Sequence, residues 1–153
     1  MDKRVKNIAI FASGSGSNAE NIYKYFQNCP SISVSHLVCN KSNAGVLKRF
    51  ENIDVNQVIV SKSDLDSDNF LAELKNIDLI VLAGFLLLLP ESLVQRFSEK
   101  IINVHPALLP KFGGKGMYGD RVHAAVLKSG DPESGATIHS VDGEYDRGVR
   151  IAQ

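Results

Sequence analysis

Leu79-Ile80-Val81-Leu82-Ala83 is an unbroken apolar run, with no polar residue at either alternating set of positions. Successive side chains of a strand point to opposite faces, so a run that is apolar throughout is buried on both. Such a strand belongs mid-sheet, with helices covering each side. Towards the N-terminus, residues 7–12, 33–39 and 55–60 predict three further strands, each containing β-branched residues. A glycine-serine turn at 13–17 follows the first, and Asn18 stands where it can cap a helix carrying Ala19, Ile22, Tyr25 and Phe26 at helical spacing. Residues 44–51 predict a second helix with Val46, Leu47 and Phe50 inward, and 64–76 contain a third with Phe70, Leu71 and Leu74 buried. Towards the C-terminus, 91–97 form a short helix after Pro90, and 101–104 a fifth strand. The resulting βαβαβαβαβ pattern with short connections predicts an α/β fold, a doubly wound and mostly parallel sheet.

Ligands of such sheets bind beyond the carboxyl ends of the strands. Three stretches meet at that edge: the turn at 13–17, the loop at 84–90, and the end of Ile101-Ile102-Asn103-Val104-His105-Pro106. Period-two geometry turns Asn103 and His105 to one face, and Pro106 ends the pairing because it has no N–H. An amide beside an imidazole equips a strand end to handle an oxyanion and a proton. His36, His123 and His139 lie within a strand, a helix and a strand, and are read as structural or surface residues.

Ser13-Gly14-Ser15-Gly16-Ser17-Asn18 offers backbone N–H groups, hydroxyls and a helix N-terminus to an anion. Its spacing Gly14-x-Gly16-x-x-Ala19 also fits a relaxed dinucleotide fingerprint. The second strand, however, ends in Cys39-Asn40-Lys41, without the acidic residue that a nicotinamide dinucleotide requires there. A phosphomonoester fits at least as well. Leu86-Leu87-Leu88-Leu89 is too apolar for an ordinary surface loop and is read as core or as the wall of a pocket for a flat ligand.

Beyond Pro110, four glycines in the nine residues 111–119 predict a loop that can approach a ligand closely. A helix at 120–128, a strand at 136–141, an acidic loop at 142–148 and a strand beginning at 149–152 follow. An α/β domain rarely ends on a strand without a closing helix, so the chain reads as curtailed, its C-terminal portion missing. With 17 basic and 17 acidic residues in 153, the chain has no net charge, so no nucleic-acid partner and no anionic membrane surface are expected. No apolar run spans a bilayer, and the charged start at Met1-Asp2-Lys3-Arg4-Val5-Lys6 leads into a run too short for a signal peptide. Cys29 and Cys39 lack metal-type spacing and read as reduced thiols of a cytoplasmic protein.

Taken together, these stretches resemble the phosphoribosylglycinamide formyltransferase branch of the folate-dependent formyltransferase family. The resemblance is carried by residues 13–18, by Val81-Leu82-Ala83-Gly84-Phe85, by Asn103-Val104-His105-Pro106-Ala107-Leu108-Leu109-Pro110, and by Tyr145-Asp146-x-Gly148. It implies a Rossmann-like fold in one domain, 1–153, with a nucleotide-binding half at 1–104 and the start of a folate and catalytic half at 105–153. Gly16, Ser17 and Asn18 would hold the phosphate of glycinamide ribonucleotide. Leu86, Leu87, Leu88 and Leu89 would line the folate pocket together with Asn103, and Asp142, Gly143, Glu144, Tyr145 and Asp146 would close over its pterin end. Asn103, His105 and Asp146 match the family's catalytic trio. The implied reaction moves a formyl group from 10-formyltetrahydrofolate to the ribonucleotide amine, needs no metal, and belongs to a monomer or weak homodimer.

Overall fold

The computed structural model describes residues 4–153; the reading of Met1, Asp2 and Lys3 as part of a plain charged start lies outside them. Seven strands form one sheet: β1 (Lys6–Ala12), β2 (Ile32–Cys39), β3 (Asn56–Ile59), β4 (Leu79–Leu82), β5 (Ile101–His105), β6 (Thr137–Ser140) and β7 (Arg150–Ala152). Their order is β3-β2-β1-β4-β5-β6-β7, which puts the unbroken apolar strand β4 at the centre. β1 to β5 run parallel, and β6 and β7 add antiparallel to the β5 edge. The sheet is the doubly wound, mostly parallel one expected.

Alternation along β1 and β4 explains the two layers. Ala9, Phe11, Ile80 and Leu82 enter one core with Phe70, Leu74, Leu93 and Phe97. Ile8, Ile10, Val81 and Ala83 enter the other with Ala19, Val46 and Phe50. Phe11 meets Phe70 and Phe85 edge-on, with ring centroids 6.1 and 5.2 Å apart. The helices are α1 (Ser17–Phe26) and α2 (Gly45–Arg49), which pack into the second core, α3 (Asp68–Glu73) and α4 (Glu91–Arg96), which pack into the first, and α5 (Asp120–Ser129).

One local expectation is corrected. Asn18 does not cap α1: the cap is Gly16, in a left-handed conformation with φ 79°, and Asn18 lies inside the first turn. Gly16 is required there by space as well, since a Cβ would fall 2.4 Å from Val46. The third helix lies within 64–76 and is preceded there by a separate turn. A 3₁₀ turn at Asp64–Asp66 stops at Ser67, whose backbone is extended and whose hydroxyl accepts from the Phe70 amide at 3.2 Å to start α3. Serine competes with the helix through that bond, so it begins a new one.

Candidate active site

The order in which strands are added reverses between the parallel neighbours β1 and β4, and a cavity of about 490 Å3 opens at their carboxyl ends. The turn after β1 forms one wall with Gly14, Ser15, Gly16, Ser17 and Asn18. Ser13, buried beneath it, ties three strand ends together. Its amide donates to the Gly84 carbonyl at 3.0 Å, its hydroxyl donates to Asn40 Oδ1, and that hydroxyl accepts from the Leu86 amide at 2.9 Å.

Asn103, His105 and Asp146 line the same cavity. β5 supplies the first two from one face, as period two requires. Asp146 arrives from the loop between β6 and β7 and sits at φ 56°, a left-handed geometry that aspartate tolerates better than most residues. That loop is pressed onto β6: a Cβ on Gly148 would lie 1.5 Å from the Ser140 carbonyl oxygen, so only glycine fits.

The Asp146 carboxylate gathers donors from three segments. Oδ1 lies 3.3 Å from His105 Nδ1, 3.4 Å from His139 Nε2 and 3.4 Å from Asn103 Nδ2. Oδ2 accepts from the Gly114 amide at 2.9 Å. Burial works against its charge, but the bonds from His105, His139 and Gly114 outweigh burial and hold the carboxyl far below the ordinary carboxylate range. His105 is 3% exposed, and its Nε2 lies 2.8 Å from the Phe112 carbonyl oxygen. Phe112 presents that oxygen from φ 59°, a conformation costing a non-glycine residue about 1–3 kcal/mol. Both nitrogens of the imidazole thus face oxygen.

The family described as Formyl transferase matches residues 6–153, the whole described chain but for its first two residues. The chain belongs to the formyl transferase family. Among relatives, the chloroplastic phosphoribosylglycinamide formyltransferase of Arabidopsis thaliana is 40% identical, over 99% of this chain and 55% of the relative. The phosphoribosylglycinamide formyltransferase of Haemophilus influenzae is 32% identical, over 97% of this chain and 72% of the relative. The chain thus spans about half the length of the plant relatives it matches, the one from Vigna unguiculata included. A solved phosphoribosylglycinamide formyltransferase from Anaplasma phagocytophilum superposes with a TM-score of 0.85 at 33% identity, over 96% of this chain and 69% of that one. Glycinamide ribonucleotide transformylase 1 from Geobacillus kaustophilus gives 0.84 at 35% identity, over 98% and 81%.

Within this formyl transferase fold, the expected pocket residues divide. Leu86, Tyr145 and Asp146 line the cavity, as do Gly16, Ser17, Asn18, Asn103 and His105. Of the four leucines expected at the folate pocket, Leu86 lines this cavity, Leu87 and Leu89 pack into the core with Phe11 and Leu93, and Leu88 is exposed. Asp142, Gly143 and Glu144 lie outside the lining, where Asp142 accepts from the Glu144 amide and Glu144 pairs with Arg147.

His139 is the residue that sequence reasoning passed over. Antiparallel pairing sets it directly opposite Asn103, and its Nε2 lies 3.0 Å from Asn103 Nδ2. Its Nδ1 donates to the Ser140 carbonyl at 2.8 Å, which leaves Nε2 to face Asn103 and Asp146. Burial lowers its pKa, but the Asp146 carboxylate and the Ser140 carbonyl outweigh burial and push it up. Lys41, Tyr118 and His123 also line the cavity; His123 was expected to be structural or on the surface.

Proposed function

We propose that this protein transfers the formyl group of 10-formyltetrahydrofolate to the amine of glycinamide ribonucleotide, giving formylglycinamide ribonucleotide in purine biosynthesis. The observation that carries the reading is the meeting of Asn103 and His105 on one buried Asp146, in the same cavity as the glycine-serine turn. In this reading residues 1–104 form the nucleotide half and 105–153 begin the half that carries folate and chemistry. Gly16, Ser17 and Asn18 receive the ribonucleotide phosphate at the N-terminus of α1. Leu86 offers the folate an apolar contact, and Tyr145 and Asp146 flank its reacting end. Both co-substrates are small molecules. The free thiols Cys29 and Cys39 support a reducing compartment, the cytoplasm in our reading.

The substrate amine attacks the formyl carbon, and negative charge grows on the formyl oxygen. Asn103 Nδ2 and His105 donate to that oxygen, where donors are most valuable because the charge appears only on the way to the transition state. Asp146 holds both in place while remaining ionised. The Phe112 carbonyl occupies His105 Nε2 until the formyl oxygen displaces it. His105, or a water it orders, then carries the proton from the attacking amine to the departing folate nitrogen. Collapse breaks the bond between the formyl carbon and that nitrogen, leaving tetrahydrofolate. His139 keeps Asn103 aligned through the β5–β6 pairing.

The test is amine-dependent turnover. Protein, 10-formyltetrahydrofolate and glycinamide ribonucleotide are mixed and the deformylated folate is followed by absorbance, beside a control without ribonucleotide. Release of folate that needs the amine is the expected result. Release at an equal rate without the amine contradicts transfer.

A further inference from the structure

Two carbonyls of the glycine-serine turn are held from the side of α2. The Gly14 carbonyl accepts from the Val46 amide at 3.0 Å, and the Ser15 carbonyl accepts from Arg49 Nε at 2.7 Å. The same guanidinium donates through Nη1 to Glu20 Oε2 at 2.7 Å, and Glu20 also pairs with Lys24. The peptide bonds of the turn are trans, so each N–H points opposite to the carbonyl before it. Fixing the Gly14 and Ser15 carbonyls on α2 therefore turns the Ser15 and Gly16 amides the other way. That side of the turn lines the cavity, to which α2 contributes no residue. Among the described residues, the amides of Ser15, Gly16 and Ser17 find no acceptor.

We infer that Arg49 is a positioning residue for the ribonucleotide phosphate: its grip on the Ser15 carbonyl aims the Ser15 and Gly16 amides at the phosphate oxygens. It touches no substrate atom. The inference rests on the reading of residues 13–18 as the phosphate subsite and adds the device that organises it. Glycine-rich turns are mobile, and an anion gains most from donors that are already oriented when it arrives. Arginine suits the task because its planar fork reaches a carbonyl and a carboxylate at once; a lysine ammonium has one point of charge to share between them.

The rival account is that Arg49 serves only the ion pair with Glu20, bracing α1 against α2. Ribonucleotide titrations followed by amide NMR separate the two, using the full chain as wild type, Arg49→Ala, Arg49→Lys and Glu20→Gln, with 10-formyltetrahydrofolate as the second ligand. Loss of one oriented, charge-assisted bond predicts ribonucleotide affinity about tenfold weaker in Arg49→Ala, with smaller amide shifts at Ser15 and Gly16. Arg49→Lys falls between, at about threefold, and decides the matter if the alanine variant does not fold. Glu20→Gln stays within about twofold of wild type, and folate affinity is unchanged throughout. Wild-type ribonucleotide affinity in Arg49→Lys or Arg49→Ala overturns the inference and leaves the phosphate reading standing. So does equal weakening by Glu20→Gln. If saturating ribonucleotide shifts Ser17 and Asn18 but leaves the Ser15 and Gly16 amides unmoved, the inference falls and the phosphate reading stands; if the amides from Ser15 to Asn18 all ignore it, the phosphate reading falls, and the inference with it.

Discussion

Asp146 holds its charge, although buried, because three side chains and one backbone amide point at its two oxygens. Removing that charge while keeping the shape tests its part. Asp146→Asn is expected to lower kcat by about 10²–10⁴-fold, since the proton-handling pair is broken while the cavity is kept. His105→Ala should do the same with the fold intact, and Asn103→Ala should cost about 10²–10³-fold by removing one donor to the formyl oxygen. Steady-state kinetics of the three variants check this; wild-type kcat in His105→Ala would remove that residue from the chemistry.

The same group sets a pH dependence of stability. The folded-state pKa of Asp146 is depressed, so its contribution is fully present above its unfolded value near pH 4 and is lost as pH falls below that. His139 is raised, so its contribution is complete below its unfolded value of 6.5 and fades as pH climbs through the folded one. Urea unfolding between about pH 5 and pH 2.5 should therefore show a steeper loss in wild type than in Asp146→Asn. Parallel curves would mean that the carboxylate contributes nothing through its charge.

At the scale of elements, Ser67 is the clearest local device, because one hydroxyl ends the 3₁₀ turn and starts α3. Ser67→Ala should cost about 1 kcal/mol by denaturant melts without touching turnover. An unchanged midpoint would show that packing of Phe70 and Leu74 alone sets that boundary. Strands β1 and β4 were legible in the amino-acid sequence because burial on both faces removes polar alternation, and β2, β3 and β5 because short runs rich in β-branched residues mark a strand; both are local properties. Asn103 and His105 were legible for the same reason, as two positions on one strand. His139 was not, because its place opposite Asn103 is a matter of β5–β6 register, a contact between residues far apart in the chain. Leu86 to Leu89 show the opposite failure: composition marks them as apolar but cannot tell which side chains turn into the core and which into the cavity. The approach of Asp146 to His105 came from the resemblance alone; no spacing rule joins a loop after β6 to the end of β5.

At the scale of the whole molecule, the order of the strands brings the glycine-serine turn and the end of β5 into one cavity. This is the general logic of open α/β sheets, where the reversal of strand order leaves a crevice that strands on either side can furnish. In the proposed reaction two small molecules meet in this cavity, and the group in transit has to be kept from water. Transfer and hydrolysis both deformylate the folate, and only the fate of the formyl carbon separates them. The direct measurement is therefore NMR with 10-formyltetrahydrofolate labelled with ¹³C at the formyl group, in the presence of glycinamide ribonucleotide. The account predicts that the label leaves the folate and appears as an amide formyl on the ribonucleotide. Label released as formate, or retained on the folate at saturating concentrations of both substrates, would contradict it.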